Sequence, residues 1–242
     1  MVVELISVGT EILLGNITNT NAAYLSEECA KLGLSCYYQT VVGDNEERLT
    51  ETLELALNRS DIVILGGGLG PTPDDLTKEV AAKVCKKELI LDEKAKEDIK
   101  KYFTKRNMTI PDNNWKQAMI PQDSVALYNE NGTAPGVIIE YGDKRVVLLP
   151  GPPNELKPMF ENQVKPYLQK FNPEVILSKT VKICGIGESS VAKQIDDLIA
   201  NQTNPTIATY AKTGEVHLRV TAKAEDEVKA KKLIKPMIKE II

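Results

Sequence analysis

The chain has few side chains that titrate near neutral pH or carry redox chemistry. Its 242 residues include one histidine, His217, within the alternating run 215–220, which is typical of a strand with one face toward solvent. The four cysteines are far apart and form no Cys-x-x-Cys pair, so we expect small buried thiols and no zinc site. Any hydrolysis by this chain is therefore expected to depend on carboxylates and a metal ion.

The sequence also lacks the features of nucleic-acid-binding and membrane proteins. The formal net charge of -4 gives no electrostatic basis for binding DNA or RNA. The longest apolar runs have the length of strands, and the N-terminus has no basic segment before its first strand pattern, so we expect neither a membrane span nor a signal peptide. We predict a cytoplasmic protein with no nucleic-acid or membrane partner.

The first part of the chain alternates strand-like and helix-like segments. The predicted strands and helices, in chain order, are 2–8, 19–32, 34–42, 46–58, 61–65 and 74–87. This β-α-β-α-β-α order, with apolar strands and short turns, is typical of a parallel, doubly wound sheet with helices on both faces. The sequence therefore predicts an α/β fold.

Shorter elements follow. We predict helical segments at 92–107, 115–119 and 154–168, and strands at 124–128, 136–141 and 145–149. The turn 141–144 makes the last two strands an antiparallel hairpin. A domain boundary is predicted at Phe171-Asn172-Pro173, followed by a strand at 175–183, a helix at 189–200, strands at 206–211 and 215–222, and a helix at 225–241. We therefore predict a three-layer α/β domain over 1–170 and a small α+β domain over 173–242.

The most informative segment is the glycine-rich run 66–77 between the third strand and the next predicted helix. Backbone N–H groups in such a turn, together with the dipole of the helix N-terminus, favour a phosphate. We expect a divalent cation between the adjacent Asp74 and Asp75, because two like charges would otherwise repel each other in the same pocket. The run is neither a Walker loop nor a dinucleotide fingerprint. The alternative is a tight turn with Thr72 or Asp74 as an ordinary helix cap.

Other polar loops fall at the same predicted edge, because ligands of open parallel sheets bind beyond the carboxyl ends of the strands. These loops are 9–15, 42–44, 129–136 and 150–155. Each has a structural alternative: Asp44 as the cap of the helix near residue 46, Glu11 as a surface residue, and Ser189 in the later run 185–189 as another helix cap.

Several motifs resemble one known family in the order in which they occur. They are Gly9-Thr10-Glu11-Ile12-Leu13-Leu14-Gly15, the run 66–77, Gly132-Thr133-Ala134-Pro135-Gly136, Leu149-Pro150-Gly151-Pro152-Pro153-x-Glu155 and Gly185-Ile186-Gly187-Glu188-Ser189. Together they resemble the competence/damage-inducible CinA family over essentially the whole chain. The resemblance implies a MoaB/MogA-like first domain, similar to the molybdopterin-binding domain of molybdenum cofactor biosynthesis proteins, and a KH-like second domain.

The same resemblance implies metal-dependent hydrolysis of ADP-ribose to AMP and ribose 5-phosphate, with the glycine loop as the diphosphate cradle. Many relatives also carry a C-terminal domain that deamidates nicotinamide mononucleotide, and we expect this chain to end before such a domain. Pro73 stands where relatives often have a basic or polar residue, which is expected to weaken a phosphate contact. Self-association, as a homodimer, is also implied.

We therefore predict hydrolysis of the pyrophosphate bond of ADP-ribose or a related nucleotide diphosphate, with Mg, Mn or Co. The alternatives are a molybdopterin- or nucleotide-binding module without catalysis, and a fragment that serves as a scaffold for the missing domain. The catalytic candidates are Asp44, Asp74, Asp75 and Glu11, of which the three aspartates are also the metal candidates. The substrate-binding candidates are Thr10, Gly67, Gly68, Gly70, Thr72, Asn131, Gly132, Thr133, Gly151, Pro152 and Glu155.

Overall fold

The chain folds as two units in a computed structural model that describes residues 1–171 and 175–242. The first unit comprises Met1–Cys29 and Leu34–Lys170, and the second comprises Ala30–Gly33 and Phe171–Ile242. Of the predicted boundary, Asn172 and Pro173 lie outside the described residues.

The first unit is built on a six-stranded sheet. Its strands are β1 (Val2–Val8), β2 (Ser35–Val42), β3 (Ile62–Gly66), β6 (Val125–Leu127), β7 (Gly136–Tyr141) and β8 (Lys144–Leu149). Their order is β2-β1-β3-β8-β7-β6, in which the first four strands are parallel and β7 is antiparallel to both of its neighbours, β8 and β6. The predicted mostly parallel sheet is confirmed, as is the hairpin of β7 and β8.

Helices cover both faces of this sheet. They are α1 (Thr10–Leu13), α2 (Thr20–Lys31), α3 (Glu46–Arg59), α4 (Thr77–Val84), α5 (Glu93–Thr104), α6 (Pro153–Met159) and α7 (Lys165–Gln169). On one face, Val63 and Leu65 pack in a core with Leu53 of α3. On the other face, a methyl group at Gly66 would lie 3.4 Å from Cδ1 of Leu156 in α6. Successive residues of β3 therefore pack on opposite faces of the sheet.

Two helix predictions in this unit need correction. The helix predicted from residue 74 begins at Thr77, because Asp75 closes a local turn by accepting from the backbone N–H of Thr72 at 3.0 Å. The helix predicted over 154–168 contains a π-helical turn, Phe160–Val164, between α6 and α7. Pro166 follows this turn and lacks the N–H that a regular α-helical hydrogen bond needs there.

The short elements that precede and follow α5 were only partly predicted. The expected helical turn is a 3₁₀ segment, Asp112–Ala118, and it leads into β5 (Met119–Pro121), which pairs with β4 (Leu89–Leu91) in a separate two-stranded sheet. Neither of these short strands was predicted.

The second unit has a three-stranded antiparallel sheet in the order β10-β11-β9. The strands are β9 (Val175–Cys184), β10 (Thr206–Lys212) and β11 (Glu215–Ala224), and the helices are α8 (Glu188–Gln194), α9 (Asp196–Ala200) and α10 (Glu227–Ile241). The helix predicted over 189–200 is therefore two helices. Ser189 is not a cap, because Gly187 occupies the N-cap position and makes no side-chain bond.

The histidine lies in this second unit. His217 is on β11, where its Nε2 is 2.6 Å from Oε1 of Glu215. Across residues 1–171 and 175–242, no helix has both the length and the apolar character needed to cross a bilayer.

Two neighbouring residues, Asp44 and Asn45, are candidates for the N-cap of α3. Asn45 is the N-cap residue, and its Oδ1 accepts from the backbone N–H of Arg48 at 3.0 Å. Asp44 does not cap this helix. The capping alternative for Asp44 is therefore wrong.

Replacing Asn45 with alanine is expected to lower the free energy of unfolding by about 1 kcal/mol, since one N–H of the first helical turn loses its acceptor. Urea denaturation of the wild type and of Asn45→Ala measures this change. Glu54→Ala, on the exposed face of α3, is the control and should change stability by less than about 0.5 kcal/mol. Equal stability of the two variants would contradict the capping assignment.

Candidate functional site

A cavity of about 300 Å³ lies where the loops after β1, β3 and β8 meet. Val8, Gly67 and Pro150 bring these three strand ends to its wall. Four carboxylates also line it, and we call it the acidic cavity: Glu11, Asp44, Asp75 and Glu155. Among the described residues of its wall there is no Lys, Arg or His.

The glycine loop forms one side of the acidic cavity through close backbone contact. Gly67 has φ +109°, and a methyl group there would lie 2.1 Å from the carbonyl oxygen of Val8. Only glycine fits this position. The N–H of Gly67 donates to Leu149 O at 2.9 Å and is not free for a ligand. For Gly68, Leu69 and Gly70, no N–H acceptor is found within residues 1–171 and 175–242.

Asp44 is held by the loop that follows β1. Its Oδ2 accepts from the backbone N–H of Thr10 at 2.9 Å and from Thr10 Oγ1 at 2.8 Å. Asp44 is half-buried. Thr10 therefore orients a carboxylate of the cavity by hydrogen bonds from a neutral group, which leaves the negative charge of Asp44 in place.

The structure separates the two adjacent aspartates. Asp75 lines the acidic cavity and is half-buried, whereas Asp74 is exposed and lies outside the wall. A hydrogen bond from Thr72 lowers the pKa of Asp74. Leu76 occupies the N-cap position of α4 without a side-chain bond, so the alternative that Thr72 or Asp74 caps this helix is wrong.

The loop before β7 supports Glu155. Asn129 Nδ2 donates to Glu155 Oε2 at 2.6 Å and to Ala134 O at 2.9 Å. Its Oδ1 accepts from the N–H of Gly132 at 2.9 Å, and a methyl group at Gly132 would lie 2.2 Å from Glu155 Oε2. Asn131 Nδ2 donates to Asn154 O at 2.8 Å and so joins the two loops.

Three residues outside the predicted site, Lys78, Lys116 and Gln117, form a brace that supports the glycine loop through backbone oxygens, and Gln117 also lines the acidic cavity. Gln117 Nε2 donates to Leu69 O at 3.2 Å, and Lys116 Nζ donates to Thr72 O at 3.2 Å and to Asp75 O. Buried Lys78 in turn donates to the backbone oxygens of Lys116 and Gln117 at 2.9 and 3.1 Å. No local sequence signal marks this brace.

Most of the predicted site residues meet at this cavity. Asn131, Gly132, Thr10 and Thr72 support wall residues, whereas Asp74 does not reach the wall. Pro73, expected to weaken a phosphate contact, is exposed and also outside the wall. The predicted residues that line the cavity are Glu11, Asp44, Gly67, Gly68, Gly70, Asp75, Thr133, Gly151, Pro152 and Glu155.

The donor set of the cavity fits a hard divalent cation that binds together with a ligand. Carboxylate oxygens suit Mg²⁺ and similar ions, which commonly use one or two carboxylates, water and substrate phosphates. In the part of the chain that the structure describes, no group of three or more His, Cys, Asp or Glu side chains could hold a metal. Water or the oxygen atoms of a ligand would therefore have to complete the coordination of such an ion.

Comparison with known families divides the chain in two. The family described as "Probable molybdopterin binding domain" matches residues 4–170, and the family described as "Damage-inducible protein CinA KH domain" matches residues 178–242.

Relatives extend over both parts. A Clostridium beijerinckii protein named as competence-damage inducible is 57% identical over all of this chain and 59% of its own length. The crystal structure of protein CinA from Thermoplasma acidophilum, titled as of unknown function, is 36% identical with a TM-score of 0.64, covering 69% of this chain and 98% of that one. MoaB of Thermus thermophilus is 17% identical with a TM-score of 0.48, covering 71% and 96%. The chain thus spans about 59% of the length of the curated relatives it matches.

The brace predicts an unusual pH dependence of stability. Burial lowers the pKa of Lys78 to about 8, well below its unfolded value of about 10.4. Below about pH 8 both states carry the charge, and the folded state bears the full cost of burying it. As pH rises further, the folded state loses this proton first, so this unfavourable contribution decreases up to about pH 10.4.

The free energy of unfolding of the wild type, relative to Lys78→Met, should therefore increase by about 3 kcal/mol between about pH 7 and pH 10.5. Urea denaturation of both proteins across this range measures the difference in their free energies of unfolding. The contributions of the other titrating groups cancel in this difference. Lys100→Met, at an exposed position of α5, is the control. A difference between wild type and Lys78→Met that does not change with pH would contradict the assignment.

Proposed function

The chain belongs to the CinA family, and from this premise we propose that its acidic cavity binds ADP-ribose or a related nucleotide and hydrolyses the pyrophosphate bond. The observation that carries the proposal is the meeting of Glu11, Asp44 and Asp75 with the glycine loop in one cavity. Such a wall would supply N–H donors for a phosphate, and carboxylates both for acid–base chemistry and for binding a metal ion.

The cation requirement follows from charge. A diphosphate brought among four carboxylates, with no basic side chain in the described wall, would be repelled. Asp44 and Asp75 are the residues that would hold Mg²⁺, Mn²⁺ or Co²⁺ with the phosphate oxygens. The bound ion would neutralise the diphosphate and acidify water.

The chain's own groups have separate roles in this proposal. Glu11, whose carboxylate has no hydrogen-bond partner among the described residues, takes a proton from the attacking water. The water oxygen bonds to one phosphorus, and the bridging P–O bond breaks with its electrons on the leaving phosphate. The N–H groups of Gly68, Leu69 and Gly70 stabilise the developing negative charge. The products are AMP and ribose 5-phosphate.

A second candidate is binding without turnover. It is favoured by the match of residues 4–170 to a probable molybdopterin binding domain. The cradle would then hold the phosphate of a pterin or nucleotide, with the carboxylates and a cation providing affinity only. Self-association as a homodimer is a separate proposal.

Incubation of the chain with ADP-ribose and Mg²⁺, Mn²⁺ or Co²⁺ in turn distinguishes the two candidates. Hydrolysis predicts AMP and ribose 5-phosphate in equal amounts, with no turnover after chelation by EDTA. Calorimetric binding of ADP-ribose or of a pterin phosphate, with no AMP formed under any metal, would overturn catalysis and support the second candidate.

The two adjacent aspartates provide a matched test of the cavity. Asp75→Asn should reduce kcat for ADP-ribose by about 100-fold or more, because it removes a charge from the wall. Asp74→Asn should change kcat by less than about 2-fold, because this carboxylate is exposed outside the wall. Asp143→Asn, in the exposed hairpin turn, controls for the general effect of losing one charge. Full turnover by Asp75→Asn with metal supplied would contradict this role.

A further inference from the structure

Lys116 lies outside the described wall of the acidic cavity, but it contacts both ends of the turn that carries Asp75. Its Nζ donates to the carbonyl oxygen of Thr72 at 3.2 Å and to the carbonyl oxygen of Asp75. The same ammonium group is 3.5 Å from Oε1 of Glu79, which lies in the first turn of α4. One side chain therefore ties the turn 72–75 to the helix that follows it.

The turn 72–75 fixes the carboxylate of Asp75. Oδ2 of Asp75 accepts from the backbone N–H of Thr72 at 3.0 Å and from the Thr72 hydroxyl, and the N–H of Asp75 donates to Thr72 O at 3.2 Å. A methyl group at Gly70 would lie 2.4 Å from this Oδ2, so the carboxylate packs against the glycine loop. A shift of the turn would therefore move this carboxylate relative to the rest of the wall.

The backbone of Lys116 is itself held in place. Lys116 belongs to the 3₁₀ segment Asp112–Ala118, in which the next residue, Gln117, donates to Leu69 O at 3.2 Å. Lys78 of α4 donates to the backbone oxygens of Lys116 and Gln117 at 2.9 and 3.1 Å. A lysine of α4 thus holds the 3₁₀ segment, and a lysine of the 3₁₀ segment holds the turn before α4.

The charge of Lys116 and its contacts have opposite effects on a cation in the acidic cavity. A positive side chain repels a nearby cation, so its removal should strengthen cation binding if charge were its only influence. The contacts act in the other direction, because a carboxylate that is already held in one orientation loses less freedom when it binds a metal ion. The residues that hold metal ligands typically change metal affinity by about 10- to 100-fold.

We propose that Lys116 is a positioning residue of the acidic cavity. It holds the turn 72–75 so that Asp75 can ligate a divalent cation, and it thereby strengthens cation binding in spite of its own positive charge. This inference rests on the part of the proposed function that assigns Asp75 to a metal ion. It does not depend on which nucleotide occupies the cavity.

Titration with Mn²⁺ alone, followed by EPR of the free ion, tests the sign of the effect. The affinity should fall by about 10-fold or more from the wild type to Lys116→Met. Lys116→Arg, which keeps the charge and can donate to both carbonyl oxygens, should stay within about 3-fold of the wild type. Lys100→Met, at an exposed position of α5, controls for the loss of one positive charge.

Equal or tighter binding of Mn²⁺ by folded Lys116→Met would overturn the inference, as would the absence of Mn²⁺ binding by the wild-type chain. Circular dichroism checks the fold of each variant. If Lys116→Met does not fold, Lys116→Gln takes its place, since it keeps one N–H donor and removes the charge. Its affinity should be lower than that of the wild type by about 3-fold or more, and an unchanged or higher affinity would overturn the inference.

The Asp75→Asn background tests whether Lys116 acts through this carboxylate. Asparagine keeps one oxygen ligand, so that weaker Mn²⁺ binding remains measurable. Adding Lys116→Met to Asp75→Asn should change the affinity by less than about 2-fold, because the ligand that Lys116 positions is already lost. A further decrease as large as that in the wild-type background would overturn the positioning of Asp75.

Formation of AMP from ADP-ribose is a separate measurement, which distinguishes this inference from the proposed function. Weaker Mn²⁺ binding by Lys116→Met, with no AMP formed by the wild type, would support the positioning role and refute catalysis. Formation of AMP by the wild type, with the same Mn²⁺ affinity in Lys116→Met, would refute the positioning role and leave catalysis standing.

Discussion

The constraint on which this site depends is the crowding of negative charge at one edge of a parallel sheet. Glu11, Asp44, Asp75 and Glu155 line one cavity, and like charges in a partly dry space repel one another. The chain orients three of them with neutral donors, from Thr10, Thr72 and Asn129. Neutral donors fix the direction of a carboxylate and stabilise its charge without cancelling it. The cavity therefore retains its attraction for a cation, which a lysine in the wall would have removed.

Two lysines nevertheless lie close to the glycine loop, and their contacts explain how this loop is held. Lys116 and Lys78 lie outside the described wall of the acidic cavity and donate to backbone oxygens, and Lys116 Nζ is also 3.5 Å from Oε1 of Glu79. This arrangement fixes the carbonyl side of the loop, so that its remaining N–H groups can face a ligand. A loop with three glycines loses much conformational entropy when it is ordered, and contacts on its far side supply part of the compensation. The brace thus supports the shape of the cradle without placing a basic side chain in the described wall of the cavity.

The sequence was sufficient for features with a short-range cause and insufficient for those set by distant contacts. Alternation and glycine-terminated strands predicted the parallel sheet and the edge at which its loops meet. The start of α4 was missed, because Thr72 and Asp75 close a side-chain turn that competes with the helix. Asp44 and Asn45 are both ordinary caps, and only the contact of Asp44 with Thr10 decides between them. Gln117 reaches Leu69 across 48 residues of sequence, a pairing that no local pattern indicates.

The acidic cavity constrains what kind of molecule can occupy this edge. In the proposed function, its four carboxylates require a ligand that binds together with a cation, and the N–H groups of Gly68, Leu69 and Gly70 remain for phosphate oxygens of that ligand. Glu11, whose carboxylate has no hydrogen-bond partner among the described residues, differs in this respect from Asp44, Asp75 and Glu155. In the proposal it accepts a proton, a role for which a fixed ion pair would be an obstacle.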